Sequence, residues 1–124
     1  MAHLITAPTL IASPGTPPKQ IAEYIGRVAT DSTAVSVAVM DSPTGWSEPG
    51  QCTEFDEYTV VLSGELTVET EEGSFPVAGG QAVHAPAGQW VRYSTPKEGG
   101  ARYVSVCMPA FSPDTVHRDA STNP

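Results

Sequence analysis

Two glycine-anchored segments with fixed spacing constrain the fold of this chain more than any other feature. The first segment runs from Gly45 to Gly64, and the second begins at Gly80 and continues through Pro86 and Gly88. Glycine permits positive φ and proline presets φ for a turn, so these residues mark tight turns between short strands. The 11 glycines and 12 prolines among 124 residues likewise favour many turns over long helices.

Between these turn signals, apolar and β-branched residues alternate with polar ones, which is the pattern of half-buried strands. Short strands separated by glycine-rich and proline-rich turns are typical of an all-β sandwich or barrel. Strands are predicted over residues 10–12, 35–39, 54–62, 65–69, 74–77, 82–85, 91–94 and 102–108.

One short helix is predicted near the N-terminus, within residues 19–27. Ile21, Tyr24 and Ile25 have the i, i+3, i+4 spacing of an apolar helix face, and two prolines precede them. The preceding residues 1–16 are apolar but broken by prolines, so they are expected to form an extended arm.

The length of 124 residues suits a single domain, 1–124, with one hydrophobic core. The core is expected within residues 33–108, with the arm and short helix before it in residues 1–30. Residues 109–124 are rich in Pro, Ser, Thr and Asp, so this tail is expected to run over the surface.

The charge and hydropathy of the chain exclude several classes of partner. A net charge of -8 argues against nucleic acid and against an anionic membrane surface, both of which attract clustered Lys and Arg. No stretch approaches the roughly 18 apolar residues that cross a bilayer, and no secretory signal pattern opens the sequence. We therefore expect a cytoplasmic protein that binds a small molecule and neither nucleic acid nor membrane.

The glycine spacing resembles the two motifs of the cupin family, G-x5-H-x-H-x3-E-x6-G and G-x5-P-x-G-x2-H. The glycines, the proline and the carboxylate of Glu57 match these motifs, whereas Gln51, Thr53 and Val91 stand at the three histidine positions. The resemblance implies a double-stranded β-helix, which is a small jelly-roll barrel, over residues 33–108. The segment Phe55-Asp56-Glu57-Tyr58 before the turn at Gly64 is also similar to the ethanolamine-utilisation protein Q branch of cupins.

In the cupin family, the two first-motif histidines, this glutamate and the second-motif histidine converge on a divalent metal. The replacements weaken that donor set, because a threonine hydroxyl is a poor ligand and valine is none. A rebuilt site would use Glu57, His84, Gln51 and Glu48, so a divalent metal is one alternative and no certain cofactor is expected.

Glu57 is the leading catalytic candidate if no metal binds. A carboxylate enclosed in an apolar barrel is a candidate general acid or base. His84 is predicted as its catalytic partner, because it lies on a strand that lines the same barrel and histidine changes charge near neutral pH. Both residues also have a structural alternative as hydrogen-bonded core groups. The predicted ligand-binding residues are Gln51, Thr53, Phe55, Trp46, Tyr93 and Arg27.

Three functions remain open on the sequence alone. The first is an isomerase, cyclase or lyase that performs acid/base chemistry on a small polar metabolite in the barrel. The second is a non-catalytic ligand-binding or accessory cupin, and the third is a metal-dependent cupin with the rebuilt site. The arm at residues 1–16 would cover a sheet edge of a second copy, so a homodimer is expected.

Overall fold

The structure is a computed structural model that describes residues 1–120. Those residues form an antiparallel β fold in which one long strand belongs to two sheets. The strands are β1 (Thr9–Ile11), β2 (Gln20–Ile25), β3 (Ser36–Ser42), β4 (Trp46–Ser47), β5 (Gln51–Cys52), β6 (Asp56–Thr70), β7 (Gly73–Ala78), β8 (Ala82–Ala85), β9 (Trp90–Thr95) and β10 (Ala101–Met108).

The long strand β6 joins the two sheets of the barrel. Its first half pairs with β10 and β8, and its second half pairs with β7 and β9. Gly64 lies between the halves with a φ of 78°. A side chain there would collide with the backbone of Gly100, so glycine is required where the chain passes from one sheet to the other.

The first sheet has the strand order β1-β2-β3-β10-β6-β8, and the second contains β4, β5, β9, β6 and β7. Most of the core lies between these sheets, where Trp46, Val61, Leu66 and Val68 are nearly inaccessible to solvent. A smaller cluster of Phe55, Cys107 and Val116, with Phe111 against it, lies beneath the C-terminal segment.

The predicted N-terminal helix is wrong, because its residues form strand β2. Ile21 pairs with Ile11 on one side and with Met40 on the other, and Glu23 is buried on the inner face. Pairing with two neighbouring strands outweighs a local helical spacing, and the β-branched isoleucines suit a strand.

The C-terminal segment returns to the barrel. The amide of Cys52 donates to the carbonyl of His117 at 3.2 Å, and the amide of Asp119 donates to Gly50 at 2.8 Å. The indole of Trp90 also donates to the Asp119 carboxylate at 2.8 Å. Residues 115–119 therefore lie along β5 and the residues beside it. Of the predicted tail, only residues 121–124 fall outside the described residues.

Within residues 1–120, no helix has the length and apolar character needed to cross a membrane.

Candidate functional site

A cavity of about 170 Å³ opens on the inner face of the first sheet. Alternation along each strand decides which side chains reach it, because paired residues of an antiparallel sheet share a face. Its apolar side is built mainly by Ile11, Ile21, Ala38, Met40, Phe111 and Pro113, and its polar side by Lys19, Glu48, Gln51, Glu57, Tyr93, Tyr103, Ser105 and Arg118.

The carboxylate of Glu57 is the best-supported polar group in the cavity. The Tyr93 hydroxyl donates to Oε1 at 2.7 Å, and the Ser105 hydroxyl donates to Oε2 at 2.8 Å. Two longer contacts come from Gln51 Nε2, 3.4 Å from Oε1, and from the Cys107 thiol, 3.7 Å from Oε2. Donors from strands β5, β9 and β10 therefore fix the carboxylate while leaving it on the cavity wall.

Burial and the nearby Glu57 carboxylate raise the pKa values of two residues that contact it. Burial raises the pKa of Tyr93 well above its ordinary value, and the Glu57 carboxylate raises it further. The pKa of the Cys107 thiol is likewise raised, first by burial and then by Glu57. Both groups therefore stay protonated at neutral pH and act as hydrogen-bond donors.

A second polar cluster, made of Lys19, Glu48 and Arg118, lies on another part of the cavity wall. The Lys19 ammonium is 3.7 Å from Glu48 Oε2, and the two side chains are only 7% and 4% exposed. The same ammonium donates to the Tyr103 hydroxyl at 3.5 Å and lies 4.5 Å from the centroid of the Trp46 ring. Lys19 and Glu48 therefore form a buried ion pair, and the Lys19 ammonium lies against the Trp46 ring.

The pKa directions of the pair follow from burial and charge together. Burial lowers the pKa of Lys19, but Glu48, Tyr103 and Glu57 raise it, and the net direction is upward. Burial raises the pKa of Glu48, which Lys19 and Arg118 oppose and Glu57 reinforces. Lys19 therefore keeps its proton throughout the neutral range, which places a cation in the same cavity as Glu57.

Two buried atoms of this second cluster form no hydrogen bond within the described residues, namely Glu48 Oε2 and Arg118 Nε. Glu48 Oε2 is the oxygen that lies 3.7 Å from the Lys19 ammonium, so the ion pair compensates its charge. Arg118 Nε is a buried donor without such compensation, and a group of this kind is costly unless a bound molecule accepts its hydrogen.

The structure brings only part of the predicted site together. Gln51, Glu48 and Tyr93 line the cavity with Glu57, whereas Arg27 is exposed and does not line it. Three other predicted ligand-binding residues are buried, and each of them packs in the core or forms a local hydrogen bond. Trp46 lies in the main core, Phe55 packs edge-on against Phe111 at 5.8 Å, and the Thr53 hydroxyl donates to the Phe55 carbonyl.

His84 does not lie in the cavity, so the prediction that it faces Glu57 is wrong. Strand β8 pairs Glu57 with Ala85 and pairs Tyr58 with His84. The imidazole therefore lies on the outer face, where it stacks on Tyr58 with 4.5 Å between ring centroids.

Several cavity residues were missed by sequence reasoning. Tyr103, Ser105 and Cys107 alternate on the predicted last strand, so their shared face was a usable signal. Lys19 was hidden because its segment was assigned to a helix. Arg118 reaches the cavity through an isolated bridge between its backbone and that of Gln51, a long-range pairing that no local pattern predicts.

The donors proposed for a rebuilt metal site do not fit a metal. Glu57, Gln51 and Glu48 line the cavity, but His84 lies on the opposite face of the sheet. Residues 1–120 contain no group of three or more His, Cys, Asp or Glu side chains placed to hold an ion.

A family model described as a cupin domain matches residues 38–107 of this chain. A curated relative from Myxococcus xanthus, named endoribonuclease YbeY, is 42% identical over 101 residues. That match covers 82% of this chain but 34% of the relative, so the chain spans about a third of the protein it resembles.

Two solved structures show the shared fold. The polyketide cyclase RemF from Streptomyces resistomycificus is 19% identical with a TM-score of 0.74, covering 100% of this chain and 89% of that chain. A putative ethanolamine utilization protein Q from Salmonella typhimurium is 18% identical with a TM-score of 0.66, covering 84% and 97%. The predicted jelly-roll barrel and its likeness to the protein Q branch are confirmed at the level of the fold.

Proposed function

This chain belongs to the cupin family, and we propose that it is a small-molecule enzyme that moves protons at a carbon atom beside a carbonyl group. The observation that carries the proposal is the Glu57 carboxylate, which accepts hydrogen bonds from Tyr93 and Ser105 on two strands and lies in one cavity with the buried Lys19 ammonium. A base and a fixed cation in one cavity are what such a reaction requires.

Glu57 is proposed as the base. Its oxygen accepts the proton, the C–H bond breaks, and the electron pair forms the C=C bond of an enolate. The negative charge that develops on the substrate oxygen is stabilised by the Lys19 ammonium. Where a further C=C bond is conjugated with the enolate, return of the proton to the far carbon of that system gives an isomer, and the step needs no further reactant.

Gln51 is proposed to orient the substrate. Its amide lies 3.4 Å from Glu57, a long hydrogen bond that a ligand can replace at little cost. The buried Nε donor of Arg118, which forms no hydrogen bond within residues 1–120, would hold a further polar group of the same molecule. The same enolate would also serve a lyase, by expelling a leaving group, or a cyclase, by attacking a carbonyl within the substrate.

The shape and charge of the cavity favour a compact substrate without excess charge. A volume of about 170 Å³ is close to the roughly 150 Å³ cavity that holds a benzene ring in another protein. Lys19 and Arg118 face three carboxylates, those of Glu23, Glu48 and Glu57, so a strongly anionic substrate is disfavoured. A single-ring ketone or enol meets both conditions.

A non-catalytic ligand-binding module is the second candidate. The relative from Myxococcus xanthus, in which a segment similar to this chain makes up only a third of the protein, supports an accessory role. The endoribonuclease activity named for that relative is not proposed for this chain, because a net charge of -8 opposes RNA binding.

Deuterium incorporation from D₂O distinguishes the two candidates. Small ketones and keto acids, with cyclohexanone as the single-ring probe, are incubated with the protein and followed by proton NMR. Exchange above the buffer rate at the carbon beside the carbonyl is expected for at least one compound. Thermal stabilisation by a compound that shows no exchange would instead favour the binding module, and neither effect for any compound would contradict the cavity as a site.

A further inference from the structure

The C-terminal segment of residues 109–119, which we call the strap, forms one wall of the cavity. Within the strap, only Arg118 takes part in β pairing, through its isolated bridge with Gln51. Residues directly opposite each other in antiparallel pairing share a face, so the Arg118 side chain points into the cavity beside that of Gln51. The strap supplies three lining side chains, those of Phe111, Pro113 and Arg118.

Several polar groups of the cavity are closed to solvent. The side chains of Lys19 and Glu48 are 7% and 4% exposed, and Cys107 is 4% exposed. Water touches less than a tenth of each, so a ring-shaped molecule reaches them only when part of the wall moves. The long strands of both sheets are paired over many residues, which leaves the terminal segments as the movable parts of the wall.

The N-terminal segment of residues 9–19 is the other terminal part of the wall, and it is held more firmly than the strap. Strand β1 pairs with β2, and Thr16 and Ser47 exchange two backbone hydrogen bonds of 2.9 and 3.0 Å. Lys19 then forms the buried ion pair with Glu48. The strap contains no strand, and its ion pair with the barrel is exposed. The strap is therefore the wall that opens more easily.

Two hydrogen bonds of Asp119 hold the end of the strap to the barrel. Its amide donates to the Gly50 carbonyl, and its carboxylate accepts from the Trp90 indole, both at 2.8 Å. Two further amides donate to strap carbonyls, those of Cys52 and Glu54. Within the strap, Val116 packs in the small cluster that contains Cys107. Release of this end of the strap therefore uncovers Cys107.

The closed strap carries two local energetic costs. His117 has a φ of 48°, a left-handed conformation that residues other than glycine rarely adopt. The buried Nε of Arg118 forms no hydrogen bond within residues 1–120, whereas water accepts its hydrogen once the strap lifts. Both costs fall in the open state, so they favour opening at this end of the strap.

We propose that the strap is the lid of the cavity, and that substrate enters and product leaves when residues 115–119 lift from β5 and the residues beside it. This inference rests on the proposed function, because the lid controls access to Glu57 and Lys19. The lifting segment carries Val116 and Arg118 away from the cavity, while both sheets keep their pairing. When it closes, the same segment excludes water from the reacting groups.

Reaction of Cys107 with methyl methanethiosulfonate tests the lid without any substrate. Cys107 lines the cavity, and Cys52→Ser leaves it as the only thiol of the chain. The thiolate attacks the sulfenyl sulfur of the reagent, a mixed disulfide forms and methanesulfinate leaves, so intact-protein mass spectrometry gives the rate. Burial and Glu57 raise the pKa of this thiol, so all rates are compared at one pH.

Variants at the two terminal segments are compared in the Cys52→Ser protein. Asp119→Ala removes the bond from Trp90 and is expected to speed the reaction about tenfold. Trp90→Phe removes the same bond from its other partner and is expected to give a similar acceleration. Ser13→Ala is the matched control, because it removes one side-chain hydrogen bond from the N-terminal segment, which Ser13 accepts from the Lys19 amide at 3.1 Å. Its rate is expected to equal that of the parent protein.

Urea below the unfolding transition is expected to change these rates little, because lifting the strap exposes little surface. Rates that rise with urea in parallel with global unfolding would overturn the proposal. So would an acceleration in Ser13→Ala equal to that in Asp119→Ala, or unchanged rates in both Asp119→Ala and Trp90→Phe. Because the reaction needs no substrate, each of these results is separate from a failure of the proposed proton transfer.

Discussion

Replacing Glu57 with glutamine is expected to lower the rate of deuterium exchange by about 10²–10⁴-fold, the usual contribution of a positioned base. Glutamine has nearly the shape of glutamate and still offers one oxygen to Tyr93 or Ser105. Its amide accepts no proton from carbon at neutral pH. The loss should therefore appear in the rate of exchange while the thermal unfolding transition remains cooperative.

Glu72→Gln is the matched control, because Glu72 is an exposed glutamate in the turn between β6 and β7. It makes the same chemical change and is expected to leave the exchange rate of wild type intact. Equal rates for wild type and Glu57→Gln would reject Glu57 as the base. Equal losses in both glutamine variants would point to a general effect of charge rather than to the cavity.

Replacing Lys19 with methionine is expected to destabilise the fold by about 3–5 kcal/mol, because Glu48 would remain as a buried carboxylate without its partner. Equilibrium urea unfolding at pH 7 measures this change. The pKa of Lys19 is raised on folding, so its contribution is complete below the unfolded pKa of about 10.4 and is lost as the pH rises through the folded value. A measurement at pH 7 therefore reports the whole effect.

The double variant Lys19→Met/Glu48→Leu is expected to recover most of that loss, because an apolar pair leaves no buried charge unpaired. Lys97→Met is the control for an exposed ion pair. Lys97 lies 3.4 Å from Glu65 and is 67% exposed, and its removal is expected to cost less than about 1 kcal/mol. Equal costs for Lys19→Met and Lys97→Met would show that the Lys19–Glu48 pair is not buried in solution.

The sequence predicted the barrel well because turn chemistry is local. Gly64 must occupy a positive φ where β6 passes between sheets, and the alternation on β10 places Tyr103 and Ser105 on one face. A turn glycine and the alternation along one strand can both be recognised without knowing which strands pair. Glu57 was predicted for the same reason, from its fixed distance to the motif glycines.

The predictions failed for residues whose positions depend on pairing between strands that are distant in the sequence. A shift of one residue in register reverses the face of every side chain, and the sequence does not state the register of β8 against β6. His84 was therefore placed beside Glu57, although Ala85 is the residue paired with it. Lys19 was missed because the residues after it form strand β2 and not the predicted helix. Arg118 was missed because the C-terminal segment reaches the cavity through long-range pairing with Gln51.

A ligand in the barrel cavity is expected to contact the carboxylate of Glu57. Carbon-13 NMR of protein labelled at the glutamate side-chain carboxyl tests this most directly, with the Glu57 resonance assigned by its absence from Glu57→Gln. Adding the ketone that exchanges fastest should shift this resonance and leave those of Glu71 and Glu72, on the exposed turn, unchanged. A Glu57 resonance that stays fixed while the ketone is being deuterated would show that the exchange takes place elsewhere.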